Sequence, residues 1–189
     1  VRSIETEVAM ASVLVPLARD CEELEAVTVI DLLRRAGIRV ITAGLDAGPV
    51  QASRGVVLIP DTTLDAVMAQ EFDMVVLPGG KGSDNLDRDP RIHQLLKKMA
   101  GAGKYTAAIC AAPKVLAHAG LLQGRRATCF PGAIPAPEGI ELMEAPVVAD
   151  GKVITSRGPG TAMDFALQLI EILAGRDKRD AVEAGLVRS

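Results

Sequence analysis

The stretch Ala107-Ala108-Ile109-Cys110-Ala111-Ala112-Pro113 sets a thiol between an apolar run that suits a buried strand and a segment that suits a helix. A reactive side chain at such a junction sits on a tight, strained turn at the end of a sheet, the nucleophile-elbow arrangement. The crowded turn requires small neighbours, and Ala108, Ala111 and Ala112 supply them. The thiol would face the N-terminus of the following helix, whose partial positive charge favours the thiolate. A buried cysteine can instead act as a small hydrophobe. The position at a strand end, rather than inside an element, favours chemistry.

A thiol nucleophile needs a group to handle protons. The chain has two histidines, His93 and His118. His118 lies about 12 Å along the helix that follows Cys110, too far to reach the thiol. His93 falls early in a helix after Asp89-Pro90 and is expected at the surface. No histidine follows His118, which argues against a glutamine amidotransferase or a papain-like protease. A carboxylate is left, and Glu25 in Glu22-Glu23-Leu24-Glu25 is the candidate. Ligands of parallel sheets bind beyond the carboxyl ends of the strands, where the loops after Leu17, Leu77 and Ile109 emerge. Glu25, Gly79-Gly80 and Cys110 could therefore converge. The glutamates could equally do no more than favour a helix N-terminus. That reading is preferred for Glu22 and Glu23; for Glu25 both stay open. The N–H groups of Gly79, Gly80 and Ala111 could form an oxyanion hole, although a Gly-Gly pair also suits a plain tight turn.

The 189 residues argue for one domain, with 49% apolar residues that exclude disorder. The net charge of −3 offers no footprint for nucleic acid or an anionic membrane, and 2% aromatic residues cannot build a base-stacking platform. No uncharged apolar run approaches the roughly 18 residues of a membrane span. Cys21, Cys110 and Cys129 are an odd number without ligand spacing, so neither a disulfide framework nor a zinc site is indicated. A reducing compartment, the cytoplasm, is expected. Neither Gly79-Gly80 nor Gly158-Pro159-Gly160 continues as a phosphate-binding loop. Residues 1–9 lack a secretory core and are expected to be an extension or tag remnant, ahead of a single domain over 10–189.

The elements that must position these groups alternate. Strands are expected at Ser12 to Leu17, Arg39 to Ala43, Met74 to Leu77 and Tyr105 to Ile109. Asp20 with Glu23 at capping-box spacing predicts the first helix, ended by Gly37. A small edge hairpin is expected around Ser53-Arg54-Gly55, a helix opened by Asp61 over 62–69, and a helix from Asp89-Pro90 to about Gly103. Ala112 to Ala119 suits a helix, and Ala127 to Pro137 an irregular loop. Asp150-Gly151 predicts a hairpin turn, followed by helices over 161–174 and 177–186. This is an α/β fold with a mostly parallel central sheet and helices on both faces.

Glu22-Glu23-Leu24-Glu25, Asp31-Leu32-Leu33-Arg34-Arg35-Ala36-Gly37, Ser53-Arg54-Gly55, Val76-Leu77-Pro78-Gly79-Gly80, the Cys110 segment and Thr155-Ser156-Arg157-Gly158-Pro159-Gly160-Thr161 together resemble the ThiJ/PfpI superfamily. The resemblance is to the branch of the Parkinsonism-associated deglycase and bacterial YajL, and runs from about Ser12 to Val187. It implies a flavodoxin-like three-layer sandwich, usually a homodimer, acting without cofactor or metal. It marks Cys110 as the reactive cysteine, Glu25 as its carboxyl partner, and Gly79, Gly80 and Ala111 as the oxyanion site. Arg34, Arg35, Arg54, Phe130, Arg157 and Pro159 become candidate pocket or dimer-side contacts. The protease branch has His directly after the cysteine; here that position is Ala111, which disfavours peptidase activity. Animal members carry a His where this chain has Phe130, which removes a proton carrier and a polar contact. Cys129 stands beside it as a second thiol.

Two function classes follow. One is a glyoxalase- or deglycase-type enzyme acting on small 2-oxoaldehydes or glycated protein side chains. The other is a redox-sensing or chaperone-like stress protein whose cysteine oxidises without turnover.

Overall fold

In the computed structural model, which describes residues 9–188, chain order runs through eleven strands and seven helices. They are β1 (Ser12–Leu17), α1 (Glu23–Arg35), β2 (Arg39–Gly44), β3 (Val50–Gln51), β4 (Val57–Leu58), β5 (Thr62–Thr63), α2 (Leu64–Val67), β6 (Met74–Leu77), α3 (Gly82–Arg88), α4 (Pro90–Gly101), β7 (Tyr105–Ile109), α5 (Pro113–His118), β8 (Arg126–Ala127), β9 (Glu141–Leu142), β10 (Val147–Asp150), β11 (Val153–Ser156), α6 (Ala162–Ala174) and α7 (Arg176–Gly185). The expected extension over residues 1–9 falls, but for Ala9, outside the described residues.

Seven strands form the central sheet in the order β10-β11-β7-β6-β1-β2-β5. All neighbours are parallel except the β10–β11 hairpin, which turns at Asp150-Gly151 as expected. From β1 the chain moves outward through β2 to β5; from β6 it moves the other way, through β7 to β11. The direction therefore reverses between β1 and β6, the place where open α/β sheets bind ligands.

Both faces of the sheet are covered, so its central strands are apolar, β6 over its whole length and β1 from Val13 to Leu17. Along β1, Val13, Val15 and Leu17 join Ala26, Val29 and Leu33 of α1 and Phe165, Leu169 and Ile170 of α6. Leu14 points to the opposite face and packs with Val75 and Leu77 of β6, Ile92, Leu95 and Leu96 of α4 and Val115 and Leu116 of α5. This is the expected sheet flanked by helices.

Several local expectations are corrected. Asp20 does not cap α1: its φ is 64°, and Glu22 is the cap residue. Asp61 does not open a helix; its carboxylate accepts from Thr42 N and Oγ1, both at 2.9 Å, and so ties the edge strand β5 to β2. The β3–β4 hairpin forms, but as a separate two-stranded sheet. The α3 helix was not expected, because Gly82-Ser83-Asp84-Asn85 has the composition of a turn. The segment after Ala127 is irregular, although β8 pairs in parallel with β9.

Candidate functional site

β7 ends at Ile109, and Cys110 turns the chain at φ 65°, the left-handed region that few side chains adopt. Neighbouring backbone holds it there. Cys110 N donates to Ser156 O at 2.9 Å, and Cys110 O accepts from Phe130 N at 2.8 Å. Ser156 is in place because β11 runs in register beside β7, with Ser156 opposite Ile109. The thiol residue is 7% exposed.

The floor beneath Cys110 is Gly79. A methyl group there would stand 2.6 Å from Cys110 Cβ and 3.0 Å from Glu25 Oε2. Only a glycine lets the three groups converge. Gly80 follows at φ 75°, and a methyl group there would meet Glu22 N at 2.6 Å. The close approach makes hydrogen bonds: Glu22 N donates to Gly79 O at 3.0 Å, and Gly82 N donates to Asp20 O at 2.8 Å. Cys21 and Gly80 form an antiparallel bridge. The loop after β1, which leads into Glu25 of α1, is thus bonded to the loop after β6, which carries the glycines.

Glu25 lies in the first turn of α1 and is fully buried. Neither carboxyl oxygen has a hydrogen bond of ordinary geometry, and the groups facing it are the Cys110 thiol and the Gly79 N–H. Burial pushes its carboxyl up to about 7, against the weaker opposing pull of Cys110 and Gly79. Burial likewise pushes the Cys110 thiol up, to about 12 with an ionised Glu25 beside it, while the Gly80 and Ala111 N–H groups pull it down. This corrects the expectation that the helix N-terminus shifts the thiol toward the thiolate. α5 begins only at Pro113 and has six residues, so burial outweighs it. The two acids instead hold protons as one unit. With a single proton between them, a thiolate would face the Gly80 and Ala111 N–H groups and a carboxylate the Gly79 N–H and the Cys110 S–H, so donors stand ready for either form.

The expected oxyanion donors divide. Gly80 and Ala111 N–H groups face the sulfur, and Gly79 N–H faces the Glu25 carboxyl. Glu23, expected only to favour a helix start, is buried and anchors the β3–β4 turn: it accepts from Ser53 Oγ at 2.9 Å and Arg54 N at 2.8 Å. The Arg54 side chain stays exposed on that turn. Arg34 and Arg35 lie about 14 Å along α1 from Glu25 and are not brought to the thiol. They pair with Asp61 and Asp31 beside exposed Val27 and Ile59. Phe130 is 48% exposed, and its ring lies 3.6 Å from where a methyl group on Gly158 would stand. Arg157, partly buried, lowers the Cys129 thiol against the larger upward push of burial. Pro159 opens a short 3-10 turn, locked by Thr161 Oγ1 accepting from Gly158 N at 3.1 Å and by its 2.7 Å hydrogen bond with Ser156 Oγ. His118 binds Asp87 at 2.7 Å, away from Cys110, and His93 is half-buried against the same aspartate rather than free at the surface.

Sequence reasoning missed Ser156 as the acceptor that fixes the elbow. Its only signal was the Thr155-to-Thr161 segment, whose register against β7 emerges with the sheet. Among the described residues, no helix is long and apolar enough to cross a membrane.

Residues 11–172 match the DJ-1/PfpI family. The chain is 45% identical over 181 residues to the Parkinson disease protein 7 homolog of Danio rerio, covering 92% of this chain and 95% of that one. It is 37% identical over 174 residues to the glutathione-independent glyoxalase DJR-1.2 of Caenorhabditis elegans, covering 91% and 92%. The crystal structure of Drosophila melanogaster DJ-1beta superposes with a TM-score of 0.93 at 44% identity, over 96% of this chain and all of that one. With the elbow cysteine, the mostly parallel sheet and these relatives in agreement, the chain belongs to the DJ-1/PfpI family, in its DJ-1 branch.

Proposed function

We propose that this protein is a cysteine enzyme of the glyoxalase type, converting small 2-oxoaldehydes to 2-hydroxy acids without a cofactor. The observation that carries the reading is the buried Glu25 carboxyl, lacking a full hydrogen bond and set against Cys110. A partnerless acid in the core is destabilising, so its position calls for a functional reason.

The Cys110 thiolate adds to the aldehyde carbon, and the new alkoxide takes the proton held by Glu25, giving a hemithioacetal and a Glu25 carboxylate. Gly80 and Ala111 N–H groups are near enough to the sulfur to steady the developing charge. Glu25, as carboxylate, removes the proton from the former aldehyde carbon and returns it to the neighbouring carbon through an enediol. The product is a thioester of the 2-hydroxy acid. Water then hydrolyses it, releasing lactate from methylglyoxal or glycolate from glyoxal and restoring the thiol. The sequence is redox-neutral, so it needs no electron acceptor. The same addition chemistry extends to early glycation adducts on protein side chains, which would make the protein a deglycase and a guard against carbonyl stress.

A redox-sensing role is the second reading. A protonated Glu25 facing Cys110 could hydrogen-bond a sulfinate there, which would stabilise the oxidised thiol. Methylglyoxal turnover by rigorously purified protein, compared with Cys110→Ala, separates the two. Lactate formed only by the wild type supports the enzyme; no turnover, with peroxide-driven sulfinate at Cys110, supports the sensor.

The exposed apolar residues Leu24, Val27 and Ile59 around α1, with Arg34 and Arg35 beside them, suit a homodimer interface. Light scattering should return about twice the 19.8 kDa chain mass. Three free cysteines suit a reducing compartment such as the cytoplasm.

A further inference from the structure

We infer that Phe130 makes the mouth over Cys110 selective for 2-oxoaldehydes bearing an aryl group over methylglyoxal. The inference rests on the proposed aldehyde chemistry and names the substrates within it. Phe130 is one of three phenylalanines in the chain. The other two, Phe72 and Phe165, are buried, whereas Phe130 is 48% exposed. Its place is set by the reactive residue itself, through the 2.8 Å hydrogen bond from Phe130 N to Cys110 O. The ring edge lies 3.6 Å from where a methyl group on Gly158 would stand, and Pro159 follows at the start of the 3-10 turn. Gly158 is two residues beyond Ser156, the acceptor for Cys110 N. Ring, glycine and proline therefore edge the same turn that presents the thiol.

An aromatic ring exposed beside a nucleophile gives an incoming aryl group a stacking or edge-to-face partner, and that contact is already available when the carbonyl adds to sulfur. A methyl group is too small to use it. The other side of the thiol offers no such surface, because Glu25 is fully buried and Gly79 and Gly80 carry no side chain.

The test compares phenylglyoxal with methylglyoxal in wild type, Phe130→Ala and Phe130→Leu. The ratio of their kcat/KM values is measured within each protein, so any loss of folded fraction cancels. The ratio should fall about three- to tenfold in Phe130→Ala, as expected for one lost aromatic pair, and by a smaller factor in Phe130→Leu. A second measurement does not need turnover: the rate of Cys110 alkylation by N-benzyl iodoacetamide relative to iodoacetamide, read by peptide mass spectrometry. It should fall by a similar factor in Phe130→Ala. If both aldehydes are consumed and neither ratio moves, the selectivity is overturned while the glyoxalase reading stands. If neither aldehyde is consumed but the alkylation ratio falls, the glyoxalase reading fails and the aryl preference of the mouth is upheld.

Discussion

Gly79 and Cys110 approach so closely that a single methyl group on Gly79 would stand 2.6 Å from Cys110 Cβ, inside any real contact distance. The same methyl would reach Ile109 O at 2.8 Å, so backbone as well as side chain stands in its way. Gly79→Ala should therefore cost about 1–3 kcal/mol of stability, typical of overpacking. It should also slow Cys110 alkylation by pushing the thiol away from the Gly80 and Ala111 N–H groups. Thermal melting and alkylation kinetics check both. An alanine variant with the wild-type melting temperature and thiol reactivity would show that the contact relaxes freely.

The Glu25–Cys110 pair should titrate through a shared proton. With the proton retained on Glu25, thiolate absorbance and kcat/KM should rise together as the pair loses its first proton. Glu25→Gln keeps a donor and should retain an acidic thiol. Glu25→Leu should raise the thiol pKa by about one unit, the equivalent of one lost hydrogen bond of about 1.4 kcal/mol. Catalysis should fail in both. A thiol that became more acidic in Glu25→Leu would mean that the carboxylate form had been repelling it, and the acid–thiolate pair would be wrong.

Stability should carry the opposite signature. Burial raises the Glu25 carboxyl from its ordinary 4.5 to about 7, so the folded state binds its proton more tightly. For an acid raised on folding, the native state loses stability as pH climbs from the unfolded value through the folded one, here from about 4.5 to about 7. Glu25→Leu escapes that loss. Its melting temperature should gain on the wild type between pH 5 and pH 8, by on the order of 5 °C for a loss of 2–3 kcal/mol. A constant difference across that range would show that Glu25 does not ionise at this cost.

Cys110 occupies a left-handed conformation at φ 65°. A glycine adopts it without the penalty of about 1 kcal/mol or more that a side chain bears. Cys110→Gly should therefore melt above Cys110→Ala, although both remove the thiol. Equal melting temperatures would mean that the turn is unstrained.

How far this was legible in the sequence depended on whether each cue was local. The buried strands followed from apolar runs broken by Gly and Pro, and Cys110 followed from its place between a strand and a helix. Asp20 and Asp61 misled because their helix-capping potential was outbid by tertiary partners: Asp20 O receives Gly82 N, and Asp61 receives Thr42. The burial of Glu23 under Ser53 and Arg54 brings together residues thirty apart, which no local pattern announces. The thiol pKa failed for a related reason. The helix terminus was visible in the sequence, but the burial that opposes it exists only once β1, β6 and β7 stand side by side.

The bonded loops after β1 and β6 have a further consequence for how such a site can diversify. Asp20, Gly79, Gly80 and Gly82 hold one another through backbone atoms, so side-chain change there meets steric refusal at nearly every position. On the other side of the thiol, Phe130 is bonded to Cys110 O through its backbone N–H while its ring stays about half exposed, and partly buried Arg157 and Pro159 flank the Gly158 beside it. Under the proposed chemistry, substitution at Phe130 would change what an electrophile meets on its way to the thiol and leave the Glu25–Cys110 pair untouched.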